Sequence, residues 1–355
     1  MNTKTYLNTA ACGLLDESTL QETNEFYHAM LTESSLASEV IRDKRIPEIR
    51  ANLASFLGAS VSEIAFVPNF SYALNGIVQS LKGTEKVLLL KTDYPSVYEP
   101  FRINQFDITW IEVAEDGFTI DISRLKDTLL REQIDMLVIS HVQWLSGFKL
   151  DIADIGAFCK EHKIVFIVDA TQSLGAVQID MGKIHADVLI ASNYKWMNAG
   201  FGTGVMYMSA SFQKQYPPVI GGHNSYATKD NLWQYVPSVR SFEPGHTNLH
   251  GLLLLDAAVR LKQAKGMAAI ETHNRELTRQ LLHHLTDEML IGPKSLDNRS
   301  SIVYVRADKQ LQEYIKENNV VVTRFNEMIR VSMHFYNTET DVMKFIDVLN
   351  TYKSQ

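Results

Sequence analysis

Cysteine is scarce: only Cys12 and Cys159 occur in 355 residues, far apart and in no metal-ligand spacing. That excludes a disulfide framework, no metal site is expected, and a reducing cytoplasm is the expected compartment. No apolar stretch approaches the roughly 20 residues that a bilayer-spanning helix needs. The start, Met1-Asn-Thr-Lys-Thr-Tyr6, lacks the basic region and apolar core of a signal peptide. Positive charge is in deficit, with 34 Lys and Arg against 41 Asp and Glu and a net charge of −7. Neither nucleic acid nor an anionic membrane is therefore expected as the main partner. Low-complexity segments and internal repeats are also missing.

What is present is the composition of a globular enzyme, 45% hydrophobic and 21% charged. The chain is long for one core and suits a large domain with a smaller companion. Apolar runs at 63–67, 86–90, 107–111, 136–141, 164–168, 188–191 and 204–208 read as strands, mostly separated by helical segments. Such alternation predicts an α/β fold: a mainly parallel sheet of about seven strands, covered by helices on both faces. Two of these runs carry the chemistry. Ile164-Val-Phe-Ile-Val168 ends in Asp169, and Val188-Leu-Ile-Ala191 leads into Ser192-Asn-Tyr194-Lys195-Trp196. Open α/β sheets bind ligands at such strand ends. A lysine amine there can form a Schiff base with the aldehyde of pyridoxal phosphate, while an aspartate keeps the pyridine nitrogen protonated. Taken alone, the pair also reads as a salt bridge or as two solvated side chains. Pro68-Asn-Phe70-Ser71-Tyr72 turns a strand into a helix, whose unpaired N–H groups and dipole make a phosphate seat or serve as a plain cap. Gly200-Phe-Gly202-Thr-Gly204 precedes a strand instead of joining a strand to a helix, which excludes a dinucleotide fingerprint.

The neighbours of the pair sharpen its meaning. Asp169-Ala-Thr-Gln172-Ser-Leu-Gly resembles the D-x-x-Q-x-x-G block, and Ser192-Asn-Tyr194-Lys195 the S-x-[HY]-K block, of the aminotransferase class V and cysteine desulfurase family. These are fold-type I pyridoxal-phosphate enzymes. Arg330-Val-Ser-Met-His-Phe-Tyr-Asn-Thr338 is similar to a third block of that family, and the likeness runs from Tyr6 to about Val348. The resemblance implies pyridoxal 5′-phosphate as cofactor, with Lys195 as its Schiff-base lysine, Asp169 at the ring nitrogen and Gln172 at the phenolic oxygen. It places Ser71, Ser192 and Tyr194 at the phosphate, with Phe70 standing where a hydroxyl residue is usual and offering only its backbone amide. Tyr94 takes the position of the residue that stacks on the ring. Trp144 falls in the loop near the cofactor oxygen and the substrate, with Gln143 beside it. The arm Tyr6-Leu-Asn8-Thr-Ala10-Ala-Cys12 is similar to one that lines the substrate pocket, hence Asn8 and Ala10. Arg330 would grip the substrate carboxylate, since a guanidinium fork matches a carboxylate bidentately.

The segment Glu243-Pro-Gly-His246-Thr247-Asn248 corresponds to one that reaches the partner subunit's phosphate, so a homodimer with shared active sites is implied, through His246 or Thr247. From about Gly266 the alternation gives way to strands at 301–305, 320–324 and 327–332. The expected division is a large domain of residues 16–245, and a smaller α+β domain made of 246–355 with the arm 1–15 and a linking helix. One departure separates branches of the family: residues 306–329, where a desulfurase carries its mobile cysteine, contain none. The leading expectation is a class V aminotransferase acting on a small amino acid, with a keto acid as second substrate. The alternatives are a C–S or other β-lyase, an epimerase, the disfavoured desulfurase, or a relative that binds cofactor without turnover.

Overall fold

The strand sequences explain how two cores come to share one sheet. In the computed structural model, which describes residues 4–229 and 232–353, each apolar run forms a strand whose successive side chains point to opposite faces. Leu137, Ile139, Phe166, Val168, Leu189 and Ala191 enter one buried cluster. Their neighbours Met136, Val138, Val165, Ile167, Val188 and Ile190 enter another. A run that is apolar at every position is what burial on both faces requires. Helices Ile46–Leu57, Ile122–Arg131, Ile152–His162 and Leu249–Lys265 contribute to the first cluster, and Phe70–Ser80 and Pro95–Ile103 to the second.

The sheet has seven strands in the order Ile64–Val67, Gly204–Met208, Val188–Ser192, Val165–Asp169, Met136–Ser140, Lys86–Leu90, Asp107–Ile111. All run parallel except Gly204–Met208, which is antiparallel to both neighbours, with Ser192 opposite Gly204. The loop bearing Lys195 is too short for a helical crossover, so the chain returns antiparallel beside the strand it has just left. The C-terminal strand ends gather where Val67, Leu90, Ser140, Asp169 and Ser192 finish. This arrangement is the mainly parallel, helix-covered sheet of seven strands that the sequence predicts.

A smaller antiparallel sheet, Ile302–Arg306, Met328–Ser332 and Thr323–Phe325, builds its own core with helices Met267–His284, Lys309–Glu317 and Glu339–Lys353. The arm joins that core: Thr5–Tyr6 pairs parallel with Val320–Val321, Asn8 bridges to Ser332, and Leu7 is fully buried there. The linking helix Leu249–Lys265 instead buries Leu252, Leu253 and Leu255 in the main-sheet core. Of the residues assigned to the two expected domains, 1–3, 230, 231, 354 and 355 lie outside those described.

Some boundaries differ from the sequence expectation. Helical patterning predicts a helix over about 18–32 with Asp16 as candidate N-cap, and the structure breaks it into a short 3-10 turn, Glu17–Thr19, and a helix, Gln21–Ala29. Asp16 does cap its start, by accepting the Ser18 N–H. An antiparallel hairpin, Tyr226–Lys229 with Leu232–Tyr235, was not foreseen from the sequence. Its strands are short and largely exposed, so they carry no apolar alternation to read. No helix among the described residues is long and apolar enough to cross a membrane.

Candidate active site

A cavity of about 320 Å³ opens at the strand ends, lined by Lys195, Asp169, Gln172, Tyr94, Trp144, Ser192, Tyr194, Phe70 and Ser71. These are the expected cofactor residues apart from His246 and Thr247. Asn69, Ser140, Thr171 and Phe201 complete the lining.

Asp169 closes its strand and is buried. Its Oδ1 accepts the Thr171 N–H at 2.8 Å, while the Thr171 hydroxyl accepts the Ser192 N–H at 3.2 Å. Burial pushes the Asp169 carboxyl up to about 7; the Thr171 bonds oppose that, and the charge of Asp93 adds to it. Lys195 lies just past the neighbouring strand, 7% exposed, with its amine 5.4 Å from the Tyr94 ring and 5.5 Å from the Tyr194 ring. Burial, helped by the Arg330 charge, brings the amine down to about 8, against the pull of Asp169. A lysine so shifted holds a useful fraction of neutral, nucleophilic amine near neutral pH.

At the phosphate end, Asn69 caps helix Phe70–Ser80 by accepting the Tyr72 N–H at 2.9 Å. The Phe70 N–H goes to the Ser192 hydroxyl at 2.9 Å, and the Ser71 hydroxyl meets that of Ser96 at 2.7 Å. The Phe70 ring is buried in the core, so the position contributes backbone alone. Tyr194 stacks on Phe201 with ring centroids 4.7 Å apart, and Tyr94 meets Trp144 edge-on at 5.5 Å. Gln172 is clamped: its Nε2 donates to the Ala10 carbonyl at 3.1 Å and its Oε1 accepts the Trp196 indole N–H at 2.7 Å. One amide hydrogen is left over for a ligand.

The expected substrate residues stand beside the cavity and do not line it. Arg330 is buried; its Nη1 donates to the Trp144 carbonyl at 2.7 Å and its Nη2 to the Thr323 hydroxyl at 3.2 Å, while Nε has no partner. Burial lowers its guanidinium to about 10, so it stays charged at neutral pH. Asn8 accepts the Thr323 hydroxyl at 2.5 Å and so steadies the residue that steadies Arg330. The Ala10 N–H donates to the Ser332 hydroxyl at 2.9 Å. Gln143 turns its amide back to the Ser140 carbonyl at 3.2 Å. His246 and Thr247 line a separate cavity of about 250 Å³ with Pro68 and Tyr72, and the Thr247 hydroxyl is buried without a partner.

Sequence reading missed Thr171, Ser140 and Thr323. Thr171 had a signal, two residues past a strand-end aspartate; the other two had none. Cys12 stands on the arm, far in sequence from residues 306–329. The arm in fact brings it to the lysine loop, where the Gly13 N–H bonds the Tyr194 carbonyl at 2.9 Å. Burial raises the Cys12 thiol, with Lys195 pulling the other way. A Cβ on Gly13 would overlap the Lys195 carbonyl oxygen. Gly13→Ala is therefore expected to cost about 1–3 kcal/mol through overpacking. Urea unfolding checks this; an unchanged midpoint contradicts the contact.

These groups fit pyridoxal 5′-phosphate on their own chemistry. A neutral-leaning amine and a buried carboxyl face one cavity, an aromatic ring stands over the amine, and a helix start with hydroxyl groups forms one wall. Lys195 would hold the aldehyde carbon, Asp169 the ring nitrogen, and the Phe70–Ser80 helix start the phosphate.

Comparison with known proteins agrees. The family model "Aminotransferase class-V" matches residues 5–345. A probable cysteine desulfurase of Pyrococcus abyssi is 24% identical, over 97% of this chain and 93% of its own length. Among solved structures, the apo cysteine desulfurase of Thermococcus onnurineus NA1 superimposes with a TM-score of 0.86 at 22% identity, covering 99% of this chain and 95% of that one. The cystine C–S lyase C-DES, in complex with its product cysteine persulfide, gives 0.87 at 19% identity, covering 98% and 97%. With the family model matched over nearly its whole length, this chain belongs to the aminotransferase class V family of pyridoxal-phosphate enzymes.

Proposed function

We propose that the enzyme binds a small α-amino acid at Lys195 and passes its amino group to a keto acid, as a class V aminotransferase. The observation that carries this reading is Arg330, a buried guanidinium beside the Lys195 cavity that, among the described residues, donates only to a carbonyl and a hydroxyl. A buried charge without a counter-ion is costly, and an incoming α-carboxylate supplies one in matching fork geometry. Pyridoxal phosphate, when bound, supplies an electron-withdrawing ring attached to the substrate nitrogen. The chain's residues do the rest. Lys195 takes the proton from the substrate Cα and returns it. Asp169 holds a proton at the ring nitrogen. Tyr94 covers one face of the ring, and Trp144, with Arg330 behind it, closes the substrate side. A cavity of about 320 Å³ must take cofactor and substrate together, which favours a short side chain.

A second reading is C–S bond cleavage, favoured by relatives described as probable cysteine desulfurases and by the fold shared with a cystine C–S lyase. Incubation with each amino acid, with and without a keto acid, separates the two. Amino transfer requires the acceptor and yields a new amino acid; elimination releases ammonia and a keto acid without one. Product formed equally well without an acceptor would overturn the first reading.

An enzyme-bound persulfide is not part of either reading. Residues 306–329 lack cysteine, Cys159 is buried in the core with its thiol raised to about 12, and the Cys12 thiol is also raised. The thiolate is the nucleophile in sulfur transfer. Cys12→Ser with Cys159→Ser is accordingly expected to keep most activity. Alanine release from cysteine that disappears in this variant, with a persulfide found on the parent, would restore the desulfurase.

The assembly proposed is a cytoplasmic homodimer in which His246 or Thr247 reaches the partner's phosphate, supported by the unpartnered Thr247 hydroxyl lying away from its own Lys195 cavity. Light scattering should give twice the chain mass. A monomer at micromolar concentration holding full cofactor would contradict it.

A further inference from the structure

Behind the cavity, at the end of strand Lys86–Leu90, lies an acid with no part in the reading above. Asp93 is 3% exposed. Its Oδ2 accepts the Ser140 N–H at 2.9 Å; its Oδ1 accepts the Ser140 hydroxyl at 2.5 Å and the Tyr94 N–H at 2.7 Å. Each of these partners donates to it, which favours the carboxylate against the burial that favours the acid. Ser140 in turn is paired in register with Asp169 on the adjacent strand. One side chain thus ties the aromatic ring over Lys195 to the strand beside the acid that faces the ring nitrogen.

We propose that Asp93 is a positioning residue that sets Tyr94 over the cofactor and supplies a second negative charge behind Asp169, favouring the protonated cofactor. The inference rests on the cofactor reading of this cavity.

The charged and titratable groups around Asp93 are Asp169 on the neighbouring strand, Lys195 past the next one, and Tyr94 beside it. Asp169 feels both Asp93, which raises its carboxyl, and Lys195, which lowers it. Burial pushes the Asp93 carboxyl up, and the Ser140, Tyr94 and Gln143 bonds hold it down. When both are ionised, the two carboxyls repel. A cation between Lys195 and Asp169 relieves that repulsion, so the pair is poised for a positively charged ring system. Removing the outer charge should leave the site standing and make that cation easier to deprotonate.

The test uses the holoenzyme of parent and Asp93→Asn, and reads the visible absorbance of bound cofactor against pH, with thermal melting alongside. The amide keeps the shape and loses the charge, so the absorbance midpoint is expected to fall by about one pH unit. Asp93→Glu, which restores the charge, should bring it back toward the parent. A role in packing alone would lower the melting temperature of Asp93→Asn and leave the midpoint in place, and that result overturns the proposal. Should Asp93→Asn fail to fold, Ser140→Ala removes one of the bonds that favour the Asp93 anion; a smaller fall is expected, and a midpoint equal to the parent's overturns the idea. A parent protein with no visible band on Lys195 would defeat the cofactor reading itself, a different failure.

Discussion

Lys195→Ala is expected to lower turnover by at least about 10²–10⁴-fold, the range that a positioned proton-transfer group contributes, before any loss of covalent attachment is counted. The same side chain is asked to hold the cofactor aldehyde and to move the Cα proton, so no neighbour compensates. Its environment favours both tasks. Burial and the Arg330 charge bring the amine to about 8, so the rate of cofactor capture by the apoprotein should rise with pH through that value, as the amine loses its proton. Borohydride should fix the pyridoxyl group on Lys195, read by peptide mass mapping. A pyridoxyl group on any other lysine, or capture independent of pH between 7 and 9, would remove the central claim.

Arg330→Ala should weaken apparent substrate affinity roughly ten- to a hundredfold. A lost charge-assisted carboxylate bond costs about 1.5–3 kcal/mol. Cofactor binding should change far less, because Arg330 touches the Trp144 carbonyl and Thr323 and lies outside the cavity lining. Arg330→Lys keeps the charge without the planar fork and should fall between the two. Steady-state kinetics beside a cofactor titration decide the matter. An unchanged KM in Arg330→Ala would show that the carboxylate is held elsewhere, and a collapse of cofactor affinity would make the residue structural.

The sequence was most informative where chemistry is local. Asp169 and Lys195 each follow a run that is apolar at every position, and such runs become strands buried on both faces whatever lies around them. The blocks around them point to pyridoxal phosphate, and the cavity lining contains the residues those blocks contribute. Burial pattern and strand-end chemistry are properties of a few consecutive residues. They survive without knowledge of the neighbours.

Direction, partnership and charge state belong to the tertiary structure. Nothing in Gly204–Met208 says that it runs against its neighbours; its place beside the strand it follows decides that. Cys12 stands far from Lys195 in sequence, yet the arm folds onto the small domain and carries it to the lysine loop. Asp93 reads as a loop acid until strand pairing sets Ser140 between it and Asp169. The shifts of Lys195 and Asp169 arise the same way. A side chain's pKa depends on what excludes water from it and on which charges face it, and here both come from residues far away in the chain.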